Sequence, residues 1–271
     1  MITKLLDLKG VEIRDLTLPT IFDTPFGPDL IRRVYTNLSS SRYQLQGRYS
    51  AAGEIVSAES RNTGLGIARI ARAKGEGFPR AGQAAGVAGV RHGRVAHPPV
   101  TEKVIGKKIN KKEKILGLCS AISATARREI IQARGHKLGK NSMFPLVLAN
   151  EIENIQKTSE LEKILFSLNL EEDLMRARTI NRVPSGKSRM RGRSKRSALS
   201  ALLLVGKGSP ILKMAHSLPG VHVKPIEGLS VLDLAPGANP IRLTIYSERS
   251  IEELRSKVSR HHKIMEVLKG V

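Results

Sequence analysis

The chain has 271 residues, with 46 Lys and Arg against 24 Asp and Glu, a net charge of +22. Apolar residues make up 40%, enough for a sizeable core, but aromatics are 3% and Trp is absent, so that core must come from Leu, Ile, Val and Ala. A single cysteine, Cys119, excludes an internal disulfide and a multi-cysteine zinc site, and no apolar run approaches the roughly 20 residues of a membrane span.

At the N-terminus, Lys4, Asp7 and Lys9 interrupt the apolar residues and leave no signal-peptide core. The expectation is a soluble, intracellular chain drawn to polyanions and not to membranes. Segments 2–8 and 11–16 flank Lys9-Gly10 and predict a hairpin. Leu30, Val34 and Leu38 recur at helical spacing and predict a helix over 29–44. From 47 to 99 no period of 2 or 3.6 is sustained. Eight of the 24 glycines lie in 61–100, a share of about 20% against a usual level of about 7%.

Asn110 and Glu113 have capping-box spacing, and Ile115, Leu118, Cys119, Ile122, Ala126 and Ile130 then form one apolar stripe ending at Gly135. Cys119 on that stripe reads as a small core residue, not a nucleophile. Beyond it the pattern predicts a strand over 144–149, a helix over 159–170 capped by Ser159 and Glu162, and a strand over 199–205. A short helix over 209–218, a strand over 221–225, a helical turn over 230–234 and a strand over 241–246 follow. Ser250 and Glu253 open a last helix running to about Lys269. The fold class is therefore α/β: a mostly parallel sheet flanked by helices, with a long irregular Gly/Arg-rich extension inserted after the first helix. Residues 1–48 and 100–271 form the body, 49–99 the extended loop, and 176–196 a second basic loop within the body.

Enzyme chemistry finds no support. Gly64-Leu65-Gly66-Ile67-Ala68-Arg69 lacks the third glycine of a dinucleotide fingerprint and its strand–helix context. Gly206-Lys207-Gly208 lacks the spacing of a phosphate loop. The histidines, His136, His216, His222 and His261-His262 among them, show no metal-ligand spacing. No cofactor, metal or catalytic group is expected.

The charge is concentrated. Residues 61–108 carry ten basic groups and two acids, a net +8, and residues 176–196 carry nine basic groups and no acid. Only +5 is left for the other 202 residues. Arginine forks phosphate bidentately and stacks on bases, lysine is a point charge, and glycine lets a chain turn tightly and approach closely. The first segment points to nucleic acid through Arg61, Arg69, Arg72, Lys74, Arg80, Arg91, Arg94, Lys103, Lys107 and Lys108, with His92 and His97 suited to phosphate or base contacts. The second does so through Arg182, Lys187, Arg189, Arg191, Arg193, Lys195 and Arg196. The extension, poor in large apolar residues, is expected to order on its partner. A structural RNA-binding constituent, a free-standing regulator binding RNA or DNA, and an RNA-modifying enzyme with a pocket at the strand ends would each carry such charge.

The run Thr63-Gly64-Leu65-Gly66-Ile67-Ala68-Arg69, then Arg72, Gly75 and Gly77, then Gly93-Arg94-Val95-Ala96-His97-Pro98-Pro99, resembles the extended loop of the universal large-subunit ribosomal protein four family. Leu18-Pro19-Thr20-Ile21-Phe22-Asp23-Thr24-Pro25, Leu234-Ala235-Pro236-Gly237 and Arg242-Leu243-Thr244-Ile245-Tyr246 with Glu248 are similar to its archaeal and eukaryotic branch. The resemblance implies a non-enzymatic protein of the cytoplasmic ribosome. Its body would sit on the large subunit beside neighbouring large-subunit proteins, and its loop would be embedded in large-subunit rRNA. The loop tip would reach the polypeptide exit tunnel wall, meet large-subunit ribosomal protein twenty-two at a constriction, and be passed by the nascent peptide. Carried onto this chain, the tip spans Arg69 to Gln83, and Arg91, Arg94 and Lys103 line the RNA-embedded stem, with Gly64 and Gly66 in the loop motif. This chain has Gly66-Ile67 where the family often has Gly-Arg, and Arg61 where it often has an aromatic.

Overall fold

The computed structural model describes residues 1–139, 143–183, 185–192, 196–214, 218–239 and 241–259. They form two compact units, one of Met1–Ser39 with Lys108–Val271 and the other of Ser40–Lys107. The expected hairpin is present as β1 (Ile2–Leu6) and β2 (Glu12–Thr17), paired antiparallel. Helix α1 (Pro28–Ser40) stops earlier than 44. Three consecutive serines, Ser39 to Ser41, favour local side-chain bonds over helix, and the Ser40 carbonyl closes a turn by accepting from Tyr43 N at 3.3 Å.

The second unit holds two short antiparallel strands, β3 (Ala58–Ser60) and β4 (Ala71–Ala73), within otherwise irregular chain. Its limbs meet where Lys107 N donates to Ser40 Oγ at 2.9 Å. Its buried apolar side chains are Ala73 and Ala85, too small to make a core.

The stripe predicted as one helix is two, α2 (Lys111–Ala124) and α3 (Arg128–Ala133). Thr125 breaks it: its hydroxyl lies 2.6 Å from the Ile122 carbonyl, to which it donates, and 3.0 Å from the Tyr246 hydroxyl, a side-chain competition that disfavours continued helix. Asn110 makes no capping bond, and Glu113 pairs instead with Arg33 at 2.7 Å. Strand β5 (Leu146–Leu148) and helix α4 (Thr158–Ser167) follow. No side chain caps α4, because it starts at Thr158 with Lys157 at its N-cap, ahead of the expected Ser159–Glu162 pair; Glu162 instead pairs with Arg178 at 2.5 Å.

Helix α5 (Glu171–Thr179) begins just past the helix expected over 159–170 and takes in the start of the basic run, which carries no helical periodicity of its own. Its first turn holds Glu171, Glu172 and Asp173 and its last Arg176 and Arg178, the arrangement that suits the helix dipole. Strand β6 (Asn181–Arg182), helical turn α6 (Lys187–Met190) and strand β7 (Arg196–Ser197) form a small antiparallel ribbon. Strands β8 (Leu202–Val205) and β9 (His222–Pro225) come next. The helix expected over 209–218 is a 3₁₀ turn at Pro210–Met214, and 215–217 lie outside the described residues. Helix α7 (Val231–Leu234) is the expected turn, and an unexpected Ser230–Asp233 box caps it. Strand β10 (Thr244–Ser247) leads into α8 (Glu248–Ser259). The cap there is Ser247, whose Oγ accepts from Ser250 N at 3.1 Å; the expected continuation to Lys269 lies outside the described residues.

The six-stranded sheet runs β2-β1-β5-β10-β8-β9, parallel except for the β1–β2 hairpin. Side chains alternate across it. Val147, Leu202, Leu204 and Tyr246 pack with α1, α2, α7 and α8 in one layer. Leu146, Leu148, Leu203, Val205 and Ile245 pack with α3, α4 and α5 in the other. Burial on both faces explains why β5 and β8 read as continuous apolar runs.

Helices α1 and α2 approach closely at Gly117, where a Cβ would lie 2.7 Å from Val34 Cγ2. Gly117→Ala should therefore destabilise by about 1–3 kcal/mol, measured by urea unfolding. Adding Val34→Ala should recover part of that loss by making room for the methyl group.

Candidate nucleic-acid interface

The Ser40–Lys107 unit carries eleven Lys and Arg against four Glu. Backbone bonds between short segments position them. Ala73 N donates to Gln83 O at 2.9 Å, Ala85 N to Ala71 O at 3.0 Å, and Lys74 N to Ser57 O at 2.8 Å. Gly64 and Gly66 take φ of 89° and 64°, which side-chain-bearing residues rarely adopt. A Cβ on either would meet nothing within 4 Å. Within the unit these two glycines serve turning, not tight packing.

Arg61, Arg72 and Lys74 are brought together around one cleft, with Glu59 and Glu76 on its rim. Lys74 Nζ pairs with Glu59 at 2.5 Å, and this bond holds the Glu59 carboxyl below its ordinary range. Arg72 is the half-buried member, donating from Nη1 to Gly82 O at 3.0 Å. Arg80 donates to Arg91 O at 3.1 Å, and Arg94 Nε lies 3.5 Å from Glu54. Gln83 folds back to donate to Pro79 O at 3.0 Å. Arg61, Arg69, Lys74, Arg80, Gln83, Arg91, His92, His97, Lys103 and Lys107 are exposed. Lys108, also exposed, belongs to the other unit.

The β6–β7 ribbon presents Lys187, Arg189 and Arg191 to solvent around α6. Arg182 and Arg196 are backbone partners in the strand register; Arg193 and Lys195 lie outside the described residues. Arg176 and Arg178, counted with this segment by sequence, are instead committed to the body. Arg176 Nε donates to Asp173 at 3.0 Å and Nη2 to Leu199 O at 2.8 Å, which ties α5 to the chain leaving the ribbon.

That tie belongs to a buried network which sequence spacing gave no reason to expect. Asp173 accepts from Ser200 Oγ at 2.6 Å and Lys137 N at 3.1 Å, and His136 Nδ1 lies 3.1 Å away. His136 Nε2 accepts from Leu243 N at 3.2 Å, so the ring is neutral with its proton on Nδ1, donated to Asp173. Burial pushes the Asp173 carboxyl up, but the bonds from His136, Ser200 and Arg176 outweigh it and bring it down to about 2. Burial holds the His136 imidazole below its ordinary value, despite Asp173 pulling it upward. Arg242, 1% exposed, donates to the carbonyls of Ser200, Ala201 and Gly220 at 2.5–2.8 Å. Burial brings its guanidinium down to about 9, with Arg134 pushing the same way.

At the C-terminal ends of β5, β8 and β10, where open α/β sheets bind ligands, the crevice is filled by Glu153. Its carboxylate accepts from Gly206 N at 2.8 Å, Ser209 Oγ at 2.7 Å and Ser247 Oγ at 2.6 Å. The amide of the Gly206-Lys207-Gly208 turn is thus spent on the chain's own carboxylate.

An α/β body of this topology, with an acid-free basic ribbon and an inserted Gly/Arg-rich unit, defines a class of protein whose charged surface lies outside its core. The ribosomal protein L4/L1 family matches residues 16–257 of the chain. The large ribosomal subunit protein uL4 of Sulfolobus acidocaldarius is 41% identical over 253 residues, covering 93% of each chain. That of Pyrobaculum aerophilum is 40% identical over 93% of this chain and 88% of its own, and that of Methanothrix thermoacetophila 38% over 95% and 100%. The chain belongs to the ribosomal protein L4/L1 family.

The Asp173 network sets a pH dependence. Its folded carboxyl titrates at about 2 against an ordinary 3.8, so the unfolded chain binds the extra proton as pH falls. That contribution, about 2 kcal/mol, is present above pH 4 and disappears between about pH 4 and 2. His136, held below 6.5, acts with the same sign, losing stability as pH drops below 6.5. Asp173→Asn should lower stability at pH 7 by about 3 kcal/mol and flatten the acid limb below pH 4, read from urea midpoints at each pH.

Proposed function

We propose that this chain is a structural, non-enzymatic protein of the large ribosomal subunit in the cytoplasmic ribosome, and that it binds large-subunit rRNA through two surfaces. One is the Ser40–Lys107 unit and the other the β6–β7 ribbon. The observation that carries the reading is the net +7 on each of these two surfaces, whose described cations are mostly exposed. Phosphate neutralisation, not base readout, supplies most of the affinity. The lack of large buried apolar groups in the extension supports ordering by RNA, with the ordering cost drawn from binding.

Family membership supports the finer assignment. The extension is the rRNA-penetrating loop, and its 69–83 tip helps form the polypeptide exit tunnel wall together with large-subunit ribosomal protein twenty-two. Nascent peptide passes it, and neighbouring large-subunit proteins and rRNA cover parts of the body.

Two experiments test this. If about ten phosphates are neutralised, the affinity for large-subunit rRNA fragments should fall with a log–log salt slope of about −9 on duplex-like RNA or about −7 on single strands; a slope near −2 overturns the reading. Deleting 50–99 and joining the ends with a short linker should leave cooperative unfolding intact but abolish stable incorporation into large subunits, assayed by sedimentation in high salt. Full incorporation of the deletion variant would refute the role of the extension.

A further inference from the structure

The chain has nine aromatic side chains, five Phe and four Tyr. Six lie in the body, and all six are buried in or packed against its two cores: Phe22, Phe26, Tyr35 and Tyr246 on one face, Phe144 and Phe166 on the other. The remaining three, Tyr43, Tyr49 and Phe78, are exposed, and all three lie in the Ser40–Lys107 unit. A chain so poor in aromatics has placed every exposed ring in the basic Ser40–Lys107 unit.

Tyr43 and Tyr49 are the most exposed, at 65% each. Each directly follows an arginine, in Arg42-Tyr43 and Arg48-Tyr49. Each is held in a hydrogen-bonded turn: Tyr43 N donates to Ser40 O at 3.3 Å, and Tyr49 O accepts from Ala52 N at 3.1 Å. Arg48 reinforces the second turn by donating to Ala52 O at 2.8 Å. Between the rings, the backbone at Gly47 lies so close to the returning limb that a Cβ would come 2.4 Å from Thr101 Cγ2. The rings are thus presented from hydrogen-bonded turns on an irregular segment that packs against the opposite limb. No acidic residue occurs from Ser40 to Gly53 to compete for the arginines.

We propose that Tyr43 and Tyr49 are stacking platforms for two unpaired RNA bases, with Arg42 and Arg48 engaging the adjoining phosphates. The proposal rests on the RNA-binding reading above and adds a class of contact to it: base faces in single-stranded RNA, in addition to phosphate charge. An exposed tyrosine ring meets the π-face of any base, and single-stranded loops and bulges are where RNA offers unstacked bases.

The test uses the full chain, single-stranded oligo(A) of roughly twelve nucleotides and an RNA duplex of similar charge as probes. Tyr43→Ala and Tyr49→Ala should each weaken oligo(A) binding by about tenfold and leave duplex affinity and the urea midpoint unchanged. Tyr43→Phe and Tyr49→Phe should restore oligo(A) affinity, since the ring and not the hydroxyl is required. With no Trp in the chain, its fluorescence comes from tyrosine, and oligo(A) should quench it in the wild type but much less in the double Phe variant. Unchanged oligo(A) affinity in both Ala variants would overturn the proposal while leaving electrostatic RNA binding standing. Equal losses in the Ala and Phe variants would overturn it in favour of a hydroxyl contact. Loss of duplex and oligo(A) binding together would assign the rings a folding role instead. A wild-type chain that binds neither probe at low salt would overturn both this proposal and the RNA-binding reading.

Discussion

Moving a guanidinium or ammonium group out of water costs several kcal/mol unless it is paired and hydrogen-bonded, and this constraint sorts the 46 cations of the chain. A three-layer body with apolar side chains on both sheet faces has room for few of them. The central strands β5, β8 and β10 are buried along their whole length, so neither face can carry charge. Most of the excess therefore resides where there is no core to disturb, in the Ser40–Lys107 unit and in the β6–β7 ribbon. Charge segregation here is a condition of having a body at all, and the binding surface is built from what the body excludes.

The exceptions show what admission requires. Arg242 is buried among three backbone carbonyls that take up its donors. Arg176 is admitted by Asp173, which is itself satisfied by His136, Ser200 and an amide. Because Arg176 also holds Leu199 O, the same ion pair anchors the basic ribbon at its root. Glu153 is the converse case: two serines and the Gly206 amide stabilise its carboxylate below the ordinary range. In doing so they fill the crevice that a doubly wound sheet commonly leaves for a ligand. The polar groups that would cradle a phosphate there already hold an anion of the chain itself.

Alternation and burial were the legible part of the sequence. The runs at Leu146–Leu148 and Leu202–Val205 read as buried strands because both faces must be apolar, and the Lys9-Gly10 turn fixes its hairpin by local chemistry. The capping pairs read from spacing at Asn110, Ser159 and Ser250 do not form as caps. Glu113 is drawn to Arg33, which is distant in sequence; α4 starts at Thr158 and leaves Ser159 inside the helix; and the box that does form, Ser230 with Asp233, carries no signal beyond a short helical turn. The break at Thr125 depends on Tyr246, 121 residues away, and no local pattern encodes it. Helix α5 was hidden because its basic last turn continues into the ribbon without a change of composition. His136 was likewise invisible, since its partners Asp173 and Leu243 come together only through the sheet. In the extension, the basic residues stood out at once, but Tyr43 and Tyr49 did not. Two tyrosines in a polar stretch acquire meaning only when every other aromatic but one is seen to be covered.

That contrast bears on how such a surface distinguishes one nucleic acid from another. Phosphate contacts are strong, long-ranged and indifferent to sequence, and salt weakens them steeply. A unit that relied on them alone would hold any polyanion in proportion to its charge density, and would favour duplexes. Stacking reverses the preference, because only unpaired bases offer a free face. Rings placed beside arginines on the same short turns let the two terms act on one nucleotide: charge draws the strand in, and the ring rewards the strand whose base is exposed. For a segment with too little apolar mass to fold around itself, this is also the available source of apolar burial. The surface that the extension cannot bury against its own side chains, it can bury against bases, so the contact that discriminates is also the one that orders the chain.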